Sequence, residues 1–214
     1  DLIKFTGVNP EKITVTLESA DELPKGNEPV DELIGKKFIM YIGRPTPHKN
    51  LRRLIDAFAL LQKKYPDLTL ALAGKKDSNY AHHETYVNEH GIKNVVFTGF
   101  ISDEQLRWMY ENTAVYCFPS LSEGFGLPGL EAMLHGAPVA SSTATCLPET
   151  HGDAAHYFDP FSVEDIAKSI DDILSDDKLR NELVKKGKKH VKTFSWQRMA
   201  EQTLAVYEKY GRKS

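Results

Sequence analysis

Ser120-Leu-Ser-Glu123-Gly-Phe-Gly126-Leu-Pro-Gly-Leu-Glu131-Ala-Met reads as a strand end, a glycine-rich turn and the opening of a helix. Pro128 suits a first helical turn, where its missing N–H costs nothing. Leu127, Leu130 and Leu134 recur at helical spacing and mark an inward stripe, and Glu131 falls inside it. A buried carboxylate without a partner is expensive, so Glu131 has to be answered by backbone N–H groups, a cation or the hydroxyls of a ligand. Glu123 stands on the loop side of the same turn, seven residues before it. Two carboxylates then frame the N–H donors of a helix N-terminus, a place suited to the phosphate of a polyhydroxylated ligand. Two plainer readings compete. Glu131 could cap or salt-bridge while the glycines only form a tight turn. Gly124-Phe-Gly126-Leu-Pro-Gly129 also matches the dinucleotide fingerprint formally, which would make this a nicotinamide-dependent enzyme. That fingerprint wants its first glycine at the strand end and an acid at the end of the next strand. Here Leu121-Ser-Glu123 intervenes, and the next strand, Pro138-Val-Ala-Ser-Ser142, ends in hydroxyls.

Outward from this turn the strand–loop–helix plan repeats. Lys37-Phe-Ile-Met-Tyr-Ile-Gly43 is a buried strand that delivers Arg44 to the carboxyl edge, where open parallel sheets bind ligands. The loop from Arg44 to Lys49 ends in Asn50, a candidate N-cap for a helix carrying Leu51, Leu54, Ile55, Phe58 and Leu61. Cations at both ends of a loop feeding a helix make a phosphate cradle, or else two solvated loop charges. Next come a strand over Leu68 to Gly74, a helix over Tyr80 to His90 and a strand over Val95 to Phe100. Ser102 and Gln105 form a capping pattern before a helix from Glu104 to Asn112. The strand Ala114 to Phe118 leads into the turn quoted first. Beyond it lie the strand at Val139, a turn over Leu147 to Gly152, Ala155 to Phe158, and a helix boxed by Ser162 and Asp165. A basic helix from Lys178 to Lys192, whose lysines read as a solvated face, precedes a last helix starting at Ser195 with Trp196, Ala200, Tyr207 and Tyr210 on one side. Near the start, Ile13-Thr-Val-Thr-Leu17 reads as a strand, and Asp21 to Lys36, broken by Pro24, Gly26 and Pro29, as a surface loop. The alternation predicts a doubly wound parallel sheet, a Rossmann-like α/β domain over 37–194 followed by a C-terminal helix over 195–214.

The 214 residues are 41% hydrophobic, enough for one large core. The net charge of −3 argues against nucleic acid or an anionic membrane as the main partner. Cys117 and Cys146 show neither disulfide nor metal spacing, so a reducing, cytoplasmic setting with buried thiols is expected. No apolar run reaches the length of a membrane span. His82, His83 and His90 imitate metal ligands, but no acid or cysteine completes a cluster, so no metal is expected. The chain opens on Asp1, an indication that a segment upstream has been removed or is carried elsewhere.

The run Glu-Gly-Phe-Gly-Leu-Pro-x-Leu-Glu-Ala-Met from Glu123 to Met133 resembles the paired-glutamate signature of the retaining nucleotide-sugar glycosyltransferases of family 4, whose motif lies in the C-terminal, donor-binding lobe of a GT-B fold. Gly43-Arg44 followed by four residues and Lys49 is similar to that family's other donor-binding phrase. The resemblance implies that Glu123 contacts the donor sugar and Glu131 the ribose, and that the N–H groups of Gly124, Phe125, Gly126 and Leu127 face sugar and diphosphate. Arg44 and Lys49 would hold the diphosphate, and Ile101 and Asp103 would border the nucleobase. Residues 1–36 would be the inter-lobe connection and a surface loop, with Leu17-Glu-Ser-Ala-Asp21 where the family has a Pro-Asn-Gly-Val-Asp turn. The wording Pro148-Glu-Thr, His151-Gly-Asp-Ala-Ala, Tyr157-Phe-Asp-Pro160 is similar to mannosyl-type members, and implies a GDP-sugar, GDP-mannose, ahead of a UDP-sugar. No cofactor beyond the donor is implied. The acceptor, a glycan or lipid-linked glycan, would be met by an N-terminal lobe for which this chain has no room, so that the lone chain would be inactive and the full-length protein could sit peripherally on a membrane. A nucleotide-binding regulatory module that has lost its chemistry is the alternative, and the intact Arg44, Lys49, Glu123 and Glu131 weigh against it.

Overall fold

A computed structural model describes residues 2–26 and 28–211. Six parallel strands form one sheet: β1 Phe38–Ile42, β2 Thr69–Ala73, β3 Val95–Gly99, β4 Val115–Phe118, β5 Val139–Ser142 and β6 Ala155–Phe158, in the order β3-β2-β1-β4-β5-β6. β1, β2, β4 and β5 are buried almost throughout, as a sheet covered by helices on each side requires, and β1 and β4 are wholly apolar runs. Strand order reverses between β1 and β4, which pair in register as Ile39↔Val115 and Met40↔Tyr116. The crevice beyond their carboxyl ends is the switch point of a doubly wound fold.

The helices are α1 Leu2–Thr6, α2 Leu51–Leu61, α3 Ser78–Glu89, α4 Asp103–Asn112, α5 Leu127–Leu134, α6 Leu147–His151, α7 Val163–Ser175, α8 Asp177–His190 and α9 Trp196–Tyr210. α2 packs Leu54, Ile55, Phe58 and Leu61 with Ile166, Ile170 and Ile173 of α7 on one face of the sheet. Leu106, Met109 and Tyr110 of α4 join Leu130 and Met133 of α5 on the other.

Several local expectations are corrected. Ile13–Leu17 forms no strand: its apolar alternation has no strand beside it to complete a ladder, and Val15 and Leu17 stay exposed. The segment 21–36 is more than surface loop, because Val30 and Leu33 are buried in the α4/α5 core. α3 begins earlier than Tyr80 because Asp77 caps it, accepting from the N–H groups of Asn79 and Tyr80. The capping box of Ser102 and Gln105 forms in full. At α7 only half forms: Ser162 accepts from the Asp165 N–H, while the Asp165 carboxylate accepts from the Asp159 N–H. Residues 147–151 are a helix instead of a turn. Cys117 is buried, but Cys146 is only half-buried. On α9, Trp196, Met199, Thr203 and Val206 are the partly covered positions, whereas Ala200, Tyr207 and Tyr210 are exposed. Among the described residues no helix is long and apolar enough to cross a membrane.

Candidate functional site

The carboxyl ends of β1 and β4 bring the two sequence phrases together. β1 runs out into Gly43, whose φ of 146° would be strained for any side chain, and whose added β-carbon would lie 2.8 Å from the Tyr41 hydroxyl. Arg44 follows, largely exposed, its Nε 3.1 Å from a carboxylate oxygen of Asp77 at the start of α3. The loop then makes a 3-10 turn over Pro47–Lys49. Lys49 Nζ lies 2.6 Å from Glu123 Oε1, with side-chain exposures of 22% and 11%. The lysine of one phrase and the first glutamate of the other thus form one ion pair across the switch point. The main chains are joined as well, the Leu121 N–H donating to the His48 carbonyl at 2.7 Å.

Asn50 departs from its expected role. It adopts a left-handed conformation with φ of 58° and caps no N–H. Buried, it donates through Nδ2 to the carbonyls of Pro119 at 2.9 Å and Pro160 at 2.7 Å, while its Oδ1 accepts from Arg53. One side chain therefore fastens the β4–α5 and β6–α7 loops to the head of α2.

α5 starts from Gly126, whose φ of 103° places it in the left-handed region. None of the N–H groups from Gly124 to Leu127 is taken up by an acceptor among the described residues, so they form the free, positively polarised end of α5. Phe125 is half-buried and meets the Phe194 ring edge-on at 5.9 Å. Gly124 has nothing within 4 Å of an added β-carbon.

The inward stripe of α5 is Gly129, Leu130, Ala132 and Met133, so Leu127 and Leu134, expected there, are only half-buried, as is Glu131 beside them. The group that answers Glu131 is not one the sequence suggested: the Tyr110 hydroxyl of α4 donates to its Oε2 at 3.2 Å. Burial pushes the Glu131 carboxyl above the ordinary range, the Tyr110 bond pulls the other way, and the charges of Asp103 and Asp21 add to the rise. Ile101, half-buried, and Asp103, exposed, stand at the N-terminus of α4 on this side.

A folded pKa above the unfolded one means that ionisation costs more in the fold, so the carboxylate destabilises at neutral pH and acidification recovers that loss. Glu131→Gln should raise the thermal midpoint near pH 7 and flatten its fall with rising pH. It should also weaken GDP about tenfold, the worth of one hydrogen bond to a charged group, and leave a 2′,3′-dideoxy nucleotide unaffected. Equal losses for both nucleotides would make Glu131 structural.

Sequence reasoning passed over His151, which is fully buried at the end of α6. Its Nε2 is 3.2 Å from the Gly126 carbonyl and its Nδ1 3.2 Å from Ser141 Oγ. Since a carbonyl only accepts, Nε2 carries the proton; burial holds the imidazole down to about 4, so it is neutral. A signal was available: a glycine at position 129, inside a helix, costs about 1 kcal/mol against alanine and asks what fills its missing side chain's space. A cavity of about 500 Å³ borders Gly124, Phe125, Cys146, Glu149 and residues 15–18. Arg44, Lys49, Glu123 and Glu131 do not line it. No cluster of three His, Cys, Asp or Glu side chains suited to a metal occurs among the described residues. The hydroxyls at the end of β5 are used internally, Ser142 Oγ donating to the Ser120 carbonyl at 2.6 Å.

The free N–H groups at the start of α5 and the Lys49–Glu123 pair lie at the switch point of a Rossmann-like lobe, where open α/β sheets bind ligands. The comparisons place it further. The family model for glycosyl transferases group 1 matches residues 26–190, and the chain belongs to that family. It is 35% identical over 182 residues to O-antigen chain mannosyltransferase B of Escherichia coli, covering 83% of this chain and 47% of that protein. To MMP alpha-(1->4)-mannosyltransferase of Mycolicibacterium hassiacum it is 33% identical over 214 residues, 98% of this chain and 51% of that protein. The chain spans about half the length of these curated relatives. The C-terminal domain of a glycosyl transferase group 1 family protein from Francisella tularensis superposes with a TM-score of 0.67 at 31% identity, covering 76% of this chain and 88% of that one. A sucrose-phosphate synthase from Thermosynechococcus elongatus gives 0.74 at 29% identity, covering 82% and 45%. The fold is one lobe of a GT-B architecture.

Proposed function

We propose that this chain is the donor-binding lobe of a hexosyltransferase that uses a nucleotide sugar, GDP-mannose, and transfers the sugar with retention to a glycan or lipid-linked glycan met by an N-terminal lobe. The observation that carries the reading is the Lys49–Glu123 pair at the switch point, beside the free N–H groups of Gly124 to Leu127. Lys49 and Arg44 meet the charge growing on the leaving diphosphate, the N–H groups share it, and Glu123 receives hydroxyls of the sugar. Donors already in place where charge develops supply much of an enzyme's rate. Glu131, with Tyr110 behind it, takes the ribose, and Ile101 and Asp103 border the base. The acceptor oxygen bonds to the anomeric carbon as the bond from that carbon to the diphosphate breaks on the same face, and the acceptor's proton passes to the departing diphosphate oxygen. No cofactor or metal takes part in this scheme. Two relatives named as mannosyltransferases support the choice of sugar.

Calorimetric titration of the chain with GDP, UDP, GDP-mannose and NADH tests the reading. GDP and GDP-mannose are expected to bind in the micromolar-to-millimolar range, about −8 to −4 kcal/mol, ahead of UDP, and NADH not at all. Transfer to a panel of acceptors is expected to need a protein of the relatives' full length, because a lone lobe holds no acceptor against the reacting carbon. Tighter binding of UDP would replace the base, preferential binding of NADH would discard the reading, and turnover by these residues alone would discard the two-lobe requirement.

A further inference from the structure

Every grip on the Glu123–Gly129 turn from the segment after β5 falls on main-chain atoms. Thr145 Oγ1 accepts from the Glu123 N–H at 3.0 Å, Cys146 Sγ donates to the Glu123 carbonyl at 3.3 Å, and His151 Nε2 donates to the Gly126 carbonyl at 3.2 Å. Thr145 holds φ of 48°, a left-handed conformation that a β-branched residue adopts only under strain. The side chain of Glu123 and the N–H groups beyond it are thereby left to other partners.

The imidazole is the innermost of these grips. A β-carbon at Gly129 would overlap His151 Nε2, and one at Gly126 would lie 3.2 Å from the same atom and 2.7 Å from Leu147 Cδ2. At Gly124 it would meet nothing within 4 Å. Gly129 is therefore the imprint of this ring, whereas Gly126 is required by its φ of 103° and by Leu147. That ring is set from behind by Ser141 Oγ and by Phe118, whose centroid is 5.8 Å away. The Gly126 carbonyl it holds also accepts from the Gly129 N–H at 3.0 Å, closing the first turn of α5.

We propose that His151 is a positioning residue, locking the Gly126 carbonyl from below the turn so that the N–H groups of Gly124 to Leu127 and the Glu123 side chain keep their aim at the donor. Its effect on ligand binding rests on the function proposed above; the lock itself does not. Neutral imidazole suits the task, with one nitrogen to donate upward to the carbonyl and the other to accept from Ser141.

The experiment compares wild type, His151→Ala, His151→Gln and the double variant Gly129→Ala/His151→Ala by amide exchange at Gly129, thermal midpoint and GDP affinity. His151→Ala should speed Gly129 exchange and weaken GDP, each about tenfold, as expected for one buried hydrogen bond. Glutamine can donate to Gly126 and accept from Ser141, so His151→Gln should stay close to wild type in both. In the double variant the new methyl fills part of the vacated space, so part of the thermal midpoint lost in His151→Ala should return while exchange at residue 129 and GDP affinity remain impaired. Recovery of all three by the double variant would reduce His151 to a filler, and unchanged Gly129 exchange in a folded His151→Ala would remove the lock. Accelerated exchange in a protein whose wild type binds neither GDP nor UDP would keep the lock and discard the proposed ligand.

Discussion

Lys49→Ala is expected to weaken nucleoside diphosphate binding by about 2–4 kcal/mol, roughly 30- to 800-fold, an amount built from one lost charge-assisted bond to phosphate and one orphaned carboxylate. The second part follows from the geometry. Glu123, with an 11% exposed side chain, has Lys49 2.6 Å away. Without that cation an incoming diphosphate meets a bare negative charge. Lys49→Ala/Glu123→Gln should therefore bind GDP better than Lys49→Ala alone. Arg44→Ala should cost less than Lys49→Ala, since Arg44 has a 74% exposed side chain and its charge is screened by water. Calorimetry on the four proteins checks the order. An unchanged dissociation constant in folded Lys49→Ala would remove this residue from the site.

The neighbouring substitution is expected to act on stability. Asn50→Ala deletes both donations to the carbonyls of Pro119 and Pro160 and leaves those acceptors facing a buried methyl. Each unsatisfied buried group costs about 1–3 kcal/mol, and alanine at φ of 58° forgoes the local hydrogen bonding that lets asparagine tolerate it. A loss of about 2–4 kcal/mol is expected, lowering the thermal midpoint by roughly 5–15 °C for a domain of this size. Asn50→Gly, which relieves the backbone but not the carbonyls, should fall between the two. A midpoint within a degree or two of wild type in Asn50→Ala would show that the three loops hold together without it.

What the sequence made legible were features whose cause is local. Apolar runs such as Phe38 to Ile42 foretold buried strands, and Ser102 with Gln105 foretold a helix start that forms as expected. The spacing of Glu123 and Glu131 marked the turn, and family membership followed. What stayed hidden was set by topology. Nothing near Lys49 says that its partner lies 74 residues away; that needs the strand order that makes β1 and β4 neighbours. Tyr110 answers Glu131 only because α4 and α5 cover the same face of the sheet. An amide before a helix is a common cap, whereas Asn50 follows a 3-10 turn in a left-handed conformation and its side chain bonds inward to Pro119 and Pro160. Ile13–Leu17 has the composition of a strand and lacks only a neighbour, and strand propensity has force chiefly where side chains can pack.

The pairing of β1 with β4 also bears on how the protein matures. Lys49 with Glu123, Asn50 with Pro119 and Pro160, and His48 with Leu121 all join segments about 70 to 110 residues apart. Bringing such distant segments together carries a loop-closure cost that local helices do not share, so non-local sheets fold slowly. On the function proposed above, diphosphate added during refolding should bind only once β1 and β4 have paired, so that the appearance of binding reports that pairing.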